Sequence, residues 1–185
     1  MMSRTASAGL CLSLLSMTAA GAQPPPAIDA CTLLTPAQIE RVLGQAVEPG
    51  VRRDAGMESN GAYSSACVWT LLAEKGQPQR SAAPLGGRSF VILNAMQWPV
   101  GSGRAREFLD SFREAAASGV LPKAPSARKF GDDALWWGDG LAVRSGDVSF
   151  GLSVHLPRMP SAVAGAREER LAPLVLDQID RRNTL

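Results

Sequence analysis

Ala134-Leu135-Trp136-Trp137-Gly138-Asp139-Gly140-Leu141-Ala142-Val143-Arg144-Ser145-Gly146-Asp147-Val148-Ser149-Phe150-Gly151-Leu152-Ser153-Val154-His155-Leu156 is a β-meander written in alternation. Successive side chains of a strand point to opposite faces, so a two-residue apolar period broken by glycine reads as strands joined by tight turns. Ala134 to Trp137 forms one strand and Gly138-Asp139-Gly140 a three-residue turn. Leu141 to Arg144 returns, Ser145-Gly146 turns, and Asp147 to Leu156 is the third strand. This spacing pairs Trp137 with Leu141 and Val143 with Val148, and sets Arg144 opposite Asp147. One face then carries Leu135, Trp137, Leu141, Val143, Val148, Phe150, Leu152, Val154 and Leu156, all apolar. The other carries Trp136, Ala142, Arg144, Ser149, Gly151, Ser153 and His155. A one-residue slip would exchange the two sets, so the alternation specifies a register.

Working outward, Arg88 to Trp98 is a central strand, because Phe90-Val91-Ile92-Leu93 is apolar on both faces. Ser65 to Leu72 is another, with Cys67, Trp69 and Leu71 on one face; Val47 to Arg53 is a weaker candidate, and Asn60-Gly61 marks a turn. Thr35-Pro36-Ala37-Gln38 has the capping residue, the first-turn proline and the Gln of a capping box, so a helix runs from there to Gly44. Ser102 caps a second helix reaching about Ala117, with Ala105, Phe108, Leu109 and Phe112 on its apolar stripe. A third runs from Ser161 or Ala162 to about Arg182, and Pro173 predicts a kink or split within it. Residues 73–87, rich in Gly, Pro and Gln, read as a long mobile loop. Antiparallel strands grouped between helices define an α+β fold: a sheet of about six strands with helices on one face, an αβββ unit used twice, and a closing helix. The doubling lies in element order alone.

Residues 1–22 read as a signal peptide. Arg4 gives the positive start, residues 9–19 a short apolar run, and Ala20-Gly21-Ala22 a small-residue cleavage site before Gln23. The run is well short of the ~20 apolar residues a membrane span requires. Residues 23–28 form a proline-rich leader, and 29–185 form a single domain. Export to the periplasm or the extracellular space sets how the cysteines are read. Cys11 falls within the signal peptide, behind a bulky Leu10 that a lipid-anchor site does not favour. Cys31 and Cys67 remain, and an oxidising compartment predicts that they form a disulfide. Closing a loop of about 37 residues would stabilise the fold by roughly 4 kcal/mol.

The opening Asp29-Ala30-Cys31-Thr32-Leu33-Leu34-Thr35, with Ile39 and Leu43-Gly44, resembles an exported bacterial family of unknown function, many of whose members are actinobacterial lipoproteins. Cys67-Val68-Trp69, Gly131-Asp132-Asp133-Ala134-Leu135-Trp136, Leu141-Ala142-Val143 and Gly146 fit the same pattern. The resemblance spans most of the chain after the leader. It implies an envelope location and no known activity, and the lipidated cysteine of those members has no counterpart here.

The 19 Lys and Arg against 17 Asp and Glu are dispersed, with no basic stripe interleaved with aromatics, so nucleic acid is not an expected partner. The single histidine, His155, and two distant cysteines make a poor metal set. Gly101-Ser102-Gly103 lacks the Gly-Lys-Ser/Thr ending of a phosphate loop and reads as a loop with an N-cap. An envelope hydrolase would act through His155 or through the neighbouring carboxylates Asp132 and Asp133. Their bland readings are a solvated strand residue and a turn. No cofactor is expected. Binding candidates are Trp136, expected on the outer face beside small residues, with Arg144, and Trp98 at the end of the central strand. The leading expectation is a non-enzymatic binding protein for an envelope protein or small ligand, an inhibitor or immunity protein being one version of it. The alternatives are that hydrolase and a structural envelope component.

Overall fold

The computed structural model describes residues 27–72, 88–156 and 161–184. The expected signal peptide, the expected leader up to Pro26, the 73–87 connection and the expected breaks at Pro157 and Pro160 lie outside the described residues.

Asp29 opens the fold. Its carboxylate accepts the Cys31 N–H at 2.9 Å and caps a four-residue helix, α1 (Ala30–Leu33), which the sequence pattern did not announce. The capping box then forms as expected at α2 (Pro36–Leu43). Thr35 Oγ1 accepts the Gln38 N–H, the Gln38 carboxamide accepts the Thr35 N–H at 2.8 Å, and Gly44 closes the helix. The weak strand candidate becomes two edge fragments, β1 (Val51–Arg52) and β2 (Gly56–Met57), both paired with β3 (Tyr63–Thr70). β4 (Phe90–Gln97) is the central strand. After α3 (Arg106–Ala117) come β5 (Ser126–Arg128), β6 (Asp133–Trp136), β7 (Leu141–Ser145) and β8 (Val148–His155), and α4 (Ser161–Asn183) ends the chain. The α4 helix runs on through Pro173 as one helix rather than splitting there.

The α+β class holds. All strands form one antiparallel sheet in the order β1-β3-β4-β8-β7-β6-β5, with β2 also on β3. Among the described residues eight strands stand where about six were expected. The last strands of the two halves, β4 and β8, pair at the centre along their full lengths, from Phe90 with His155 to Gln97 with Val148. One sheet face carries Cys67, Trp69, Val91, Leu93, Phe150, Leu152, Val143 and Leu141. It packs beneath α1, α2 and α4, which contribute Leu33, Ile39, Leu171, Val175 and Ile179. Side chains of this size, buried completely, each contribute about 1.5–3 kcal/mol. α3 lies on the opposite face, where Leu109 meets Leu135 and Ala142, flanked by Phe108, Phe112 and Trp137. The helices are therefore not confined to one face. The back of β6, β7 and β8 is apolar or small, and the α3 stripe needs such a surface.

Two registers differ from the sequence expectation. β6 pairs with β7 through Trp136 and Leu141, not Trp137 and Leu141. The connection is four residues, 137–140, closed by the Trp137 N–H donating to the Gly140 carbonyl at 3.1 Å. A Cβ on Gly140 would collide with the Trp137 ring and Ser153 Oγ, so the tight fold of that ring over the turn requires glycine there. The one-residue change turns β6 over. Trp136 and Ala134 join the main core, where a Cβ added to Gly165 of α4 would come into ordinary van der Waals contact with the Trp136 ring, while Leu135 and Trp137 face α3. Alternation could not decide this, because Ala134-Leu135-Trp136-Trp137 is apolar in both phases. Between β7 and β8 the turn residues are Gly146-Asp147. Val143 pairs with Phe150 and Arg144 with Ser149, a two-residue shift that leaves every face unchanged.

The predicted Cys31–Cys67 disulfide is present and ties α1 to β3, with Cα atoms 5.0 Å apart. Beside it, Ser65 Oγ accepts the Ala30 N–H at 3.0 Å and donates to Asp54 at 2.6 Å. A Cβ at Gly50 would lie 2.6 Å from both Cys67 Sγ and Trp69 Nε1, so the chain passes over the bridge only as glycine. Replacing both cysteines by serine should lower the unfolding free energy by about 3–4 kcal/mol in chemical denaturation, the value of closing this loop. Trp136→Ala should remove about 3 kcal/mol in the same assay. A loss below about 0.5 kcal/mol, the level of a surface substitution, would restore the outward-facing register.

Candidate functional site

The end of the sheet where β3 begins and β4 finishes carries the concave apolar surface. Met57 on β2 pairs with Tyr63 on β3, and Tyr63 pairs with Gln97 on β4, so three neighbouring strands set these side chains in a row. Gly61 turns the chain into β3. Asn60 Oδ1 accepts the Ala62 N–H at 2.9 Å, and the Gly61 N–H reaches the Glu58 carbonyl at 2.9 Å. Beyond β4, Trp98-Pro99-Val100 forms the facing wall, and Ala27 closes the side. The groove holds about 310 Å³, near the lower limit of small-ligand sites, and its walls are almost wholly apolar. Met57 is 71% exposed and Val100 76%, so two large apolar side chains stand open at its rim. The Gln97 Oε1 is buried and has no hydrogen-bond partner.

The facing wall is fixed from behind. Trp98, 3% exposed, donates its ring N–H to Ser149 Oγ at 3.0 Å and its backbone N–H to the Asp147 carbonyl at 2.9 Å. Arg104 lies over the Trp98 ring at 5.5 Å, donates to the Asn60 carbonyl, and is paired with Glu107. The hydrogen bond from Arg104 holds the Glu107 carboxyl below its usual pKa. Gly101 donates to Asp147 at 2.8 Å, and Ser102 accepts the Arg104 N–H, so the Gly101-Ser102-Gly103 stretch is a loop that anchors this wall.

Of the sequence candidates, Trp98 lines the groove. Trp136 is half-buried under α4, which corrects its expected place on the outer face. Arg144 is half-buried at the α3 side of the sheet and bonds Asp132 at 2.9 Å, in place of the expected Asp147 pairing. Asp132 also accepts the Gly146 N–H at 2.8 Å, clasping the β7–β8 turn, and Asp133 pairs with Arg113 at 2.8 Å. His155 is exposed and stacks on Phe90 with centroids 4.9 Å apart. Asp133 lies in the cross-strand row of Arg144 and Ser149, six residues along β8 from His155, which is about 20 Å. The hydrolase candidates thus lie at opposite ends of the sheet. Met57 and Val100 escaped sequence reading because isolated residues in a two-residue edge strand and a loop carry no periodic signal, and Tyr63 and Gln97 because they stand at the ends of β3 and β4, where the pattern does not show which neighbours they meet. The nearest sign was the Asn60-Gly61 turn.

Among the described residues no cluster of three or more His, Cys, Asp or Glu could hold a metal, and no helix is long and apolar enough to cross a membrane. Comparison with family models, with curated proteins and with solved structures finds no match.

One buried carboxylate lies outside the groove. Glu168 of α4 falls on the same helical stripe as Leu171, Ala172, Val175 and Ile179, and it is fully buried. Its Oε1 accepts the Val154 N–H at 2.8 Å, beyond the point where β7 stops pairing with β8; its Oε2 has no partner. Burial raises its pKa to about 7, against the lowering effect of the backbone hydrogen bonds and of Arg167. The folded state therefore holds a proton that the unfolded chain releases near pH 4.5, so stability from this group is present below pH 4.5 and falls as pH rises towards 7. The loss should be about 3 kcal/mol. Glu168→Gln should flatten this part of the stability–pH curve in urea unfolding; an unchanged slope would refute the assignment.

Proposed function

We propose that this chain is exported, processed near Ala22/Gln23, and acts as a non-enzymatic binding protein that takes an apolar segment of an envelope protein into the groove between Met57 and Val100. The observation that carries this reading is the groove itself. Two large apolar residues are left open beside a preformed apolar hollow, and exposed apolar surface of this kind marks interaction sites. The small size of the hollow suits one anchoring side chain or a short extended segment, as an inhibitor- or immunity-type protein would grip. The leader pattern and the disulfide support export. An exposed His155 stacked on Phe90, and Asp132 and Asp133 each held in an ion pair, with Arg144 and Arg113, weigh against the hydrolase alternative in both its forms.

The test is capture of an envelope protein by residues 23–185, identified by mass spectrometry and then measured as a purified pair. Met57→Asp with Val100→Asp should weaken the pair at least tenfold. Val120→Asp, at a residue equally exposed but away from the groove, should not. Equal affinity for the groove variant and the parent would remove the groove from the function.

A further inference from the structure

Pro173 interrupts the hydrogen-bond ladder of α4, because it has no N–H to give the Glu169 carbonyl. Proline is favoured instead as the first residue of a helix, so residues 173–183 can form a helix that starts on their own proline. The stretch before it is weakly seated. Gly165 is a poor helix former, and even a Cβ there would only touch the Trp136 ring, 3.6 Å away. Glu168 is fully buried, yet its Oε2 has no hydrogen-bond partner, while its Oε1 accepts the Val154 N–H of β8 at 2.8 Å. On the outside Glu169 pairs with Arg128 of β5 at 2.6 Å, a partly exposed bridge of the kind that adds little. Leu171 and Ala172, both fully buried, end this stretch and anchor it beside Pro173.

We propose that residues 165–170 are a pH-sensitive flap over Trp136, seated while the Glu168 side chain is neutral and released from the sheet when it is charged, with α4 then beginning at Pro173. Seating holds the carboxyl group out of water against one N–H, and release returns it to water. The charges that bear on it stand on its own helix: Arg167 favours the ionised form and Glu169 opposes it. Arg128 reaches this point through Glu169. The core faces of β6, β7 and β8 bring only apolar side chains, Ala134, Trp136, Leu141, Val143, Leu152 and Val154 among them. Asp139 of the 137–140 turn and Glu40 and Arg41 of α2 are exposed, Asp29 at the head of α1 is bonded to Cys31 and Arg52, and His155 stacks on Phe90. Release uncovers the Trp136 ring, the Val154 N–H and the Arg128 guanidinium together. The split that Pro173 predicts from the sequence is then the open form of α4. This device is independent of the groove between Met57 and Val100.

Native-state hydrogen exchange in residues 23–185 reads the flap amide by amide. At pH 7 the Val154 N–H and those of residues 169–172 should exchange about tenfold or more faster than those of residues 175–179, after correction for intrinsic rates, and should respond only weakly to low urea. Their opening constant should rise about fortyfold from pH 5 to pH 7, because the acid titrates near 4.5 when released and near 7 when seated. Glu168→Gln should remove that rise. Pro173→Ala, which restores the missing helical bond, should slow opening at both pH values and leave the rise in place. Uniform protection and equal urea dependence at Val154 and along residues 169–179 would mean that α4 opens only with the whole fold, which overturns the flap and leaves Glu168 a purely global effect on stability. A pH rise that survives in Glu168→Gln would overturn the latch.

Discussion

The lane of small residues on the back of β8 is the constraint on which the rest of the structure depends. Val148, Phe150, Leu152 and Val154 all point into the main core, so the intervening Ser149, Gly151 and Ser153 must form the other face. Their size decides what can approach. A Cβ on Gly151 would lie 3.2 Å from the Phe108 ring, so α3 sits as close to the sheet as glycine allows. Ser149 supplies the hydroxyl that Trp98 needs once its indole is buried, and Ser153 leaves room for Trp137 to fold over Gly140. Larger residues at these three positions would lift α3 and release the wall that Trp98 forms.

This explains which parts of the fold could be read in advance. Alternation in β8 and β7 is unambiguous, and their faces came out as expected even where the turn was displaced by two residues. In β6 both phases are apolar, since one side meets α4 and the other α3, so pattern alone had no power to choose. Helix α1 is only four residues long and rests on the Asp29 cap and the Cys31–Cys67 bridge rather than on periodicity. Pro173 signalled a break, yet it sits on an exposed position of α4, where packing through Leu171, Ala172 and Val175 on the buried side holds the helix together.

The site was less legible than the fold, for a physical reason. Trp98 could be singled out because an aromatic at the end of a central strand is conspicuous. Met57 and Val100 become significant only when β2, β3 and β4 are laid side by side and the loop after β4 folds back. Glu168 was in principle visible as a lone acid on the α4 apolar stripe, at helical spacing from Leu171, Ala172 and Val175.

A binding surface gains from being built before its ligand arrives, because less side-chain and loop ordering is then charged to association. The groove meets that condition unevenly. Its Trp98 wall is held by Ser149 of β8, by Asp147 of the β7–β8 turn, and by Arg104 and Gly101 of the loop that leads to α3. Its opposite wall is Met57, in a two-residue edge strand paired only with β3. Methionine is unbranched and polarizable, and adapts to irregular partners. A fixed aromatic wall facing an adaptable thioether favours a ligand recognised by apolar bulk. That arrangement selects for shape along one side and tolerates variation along the other, which suits a short extended segment better than a rigid small molecule.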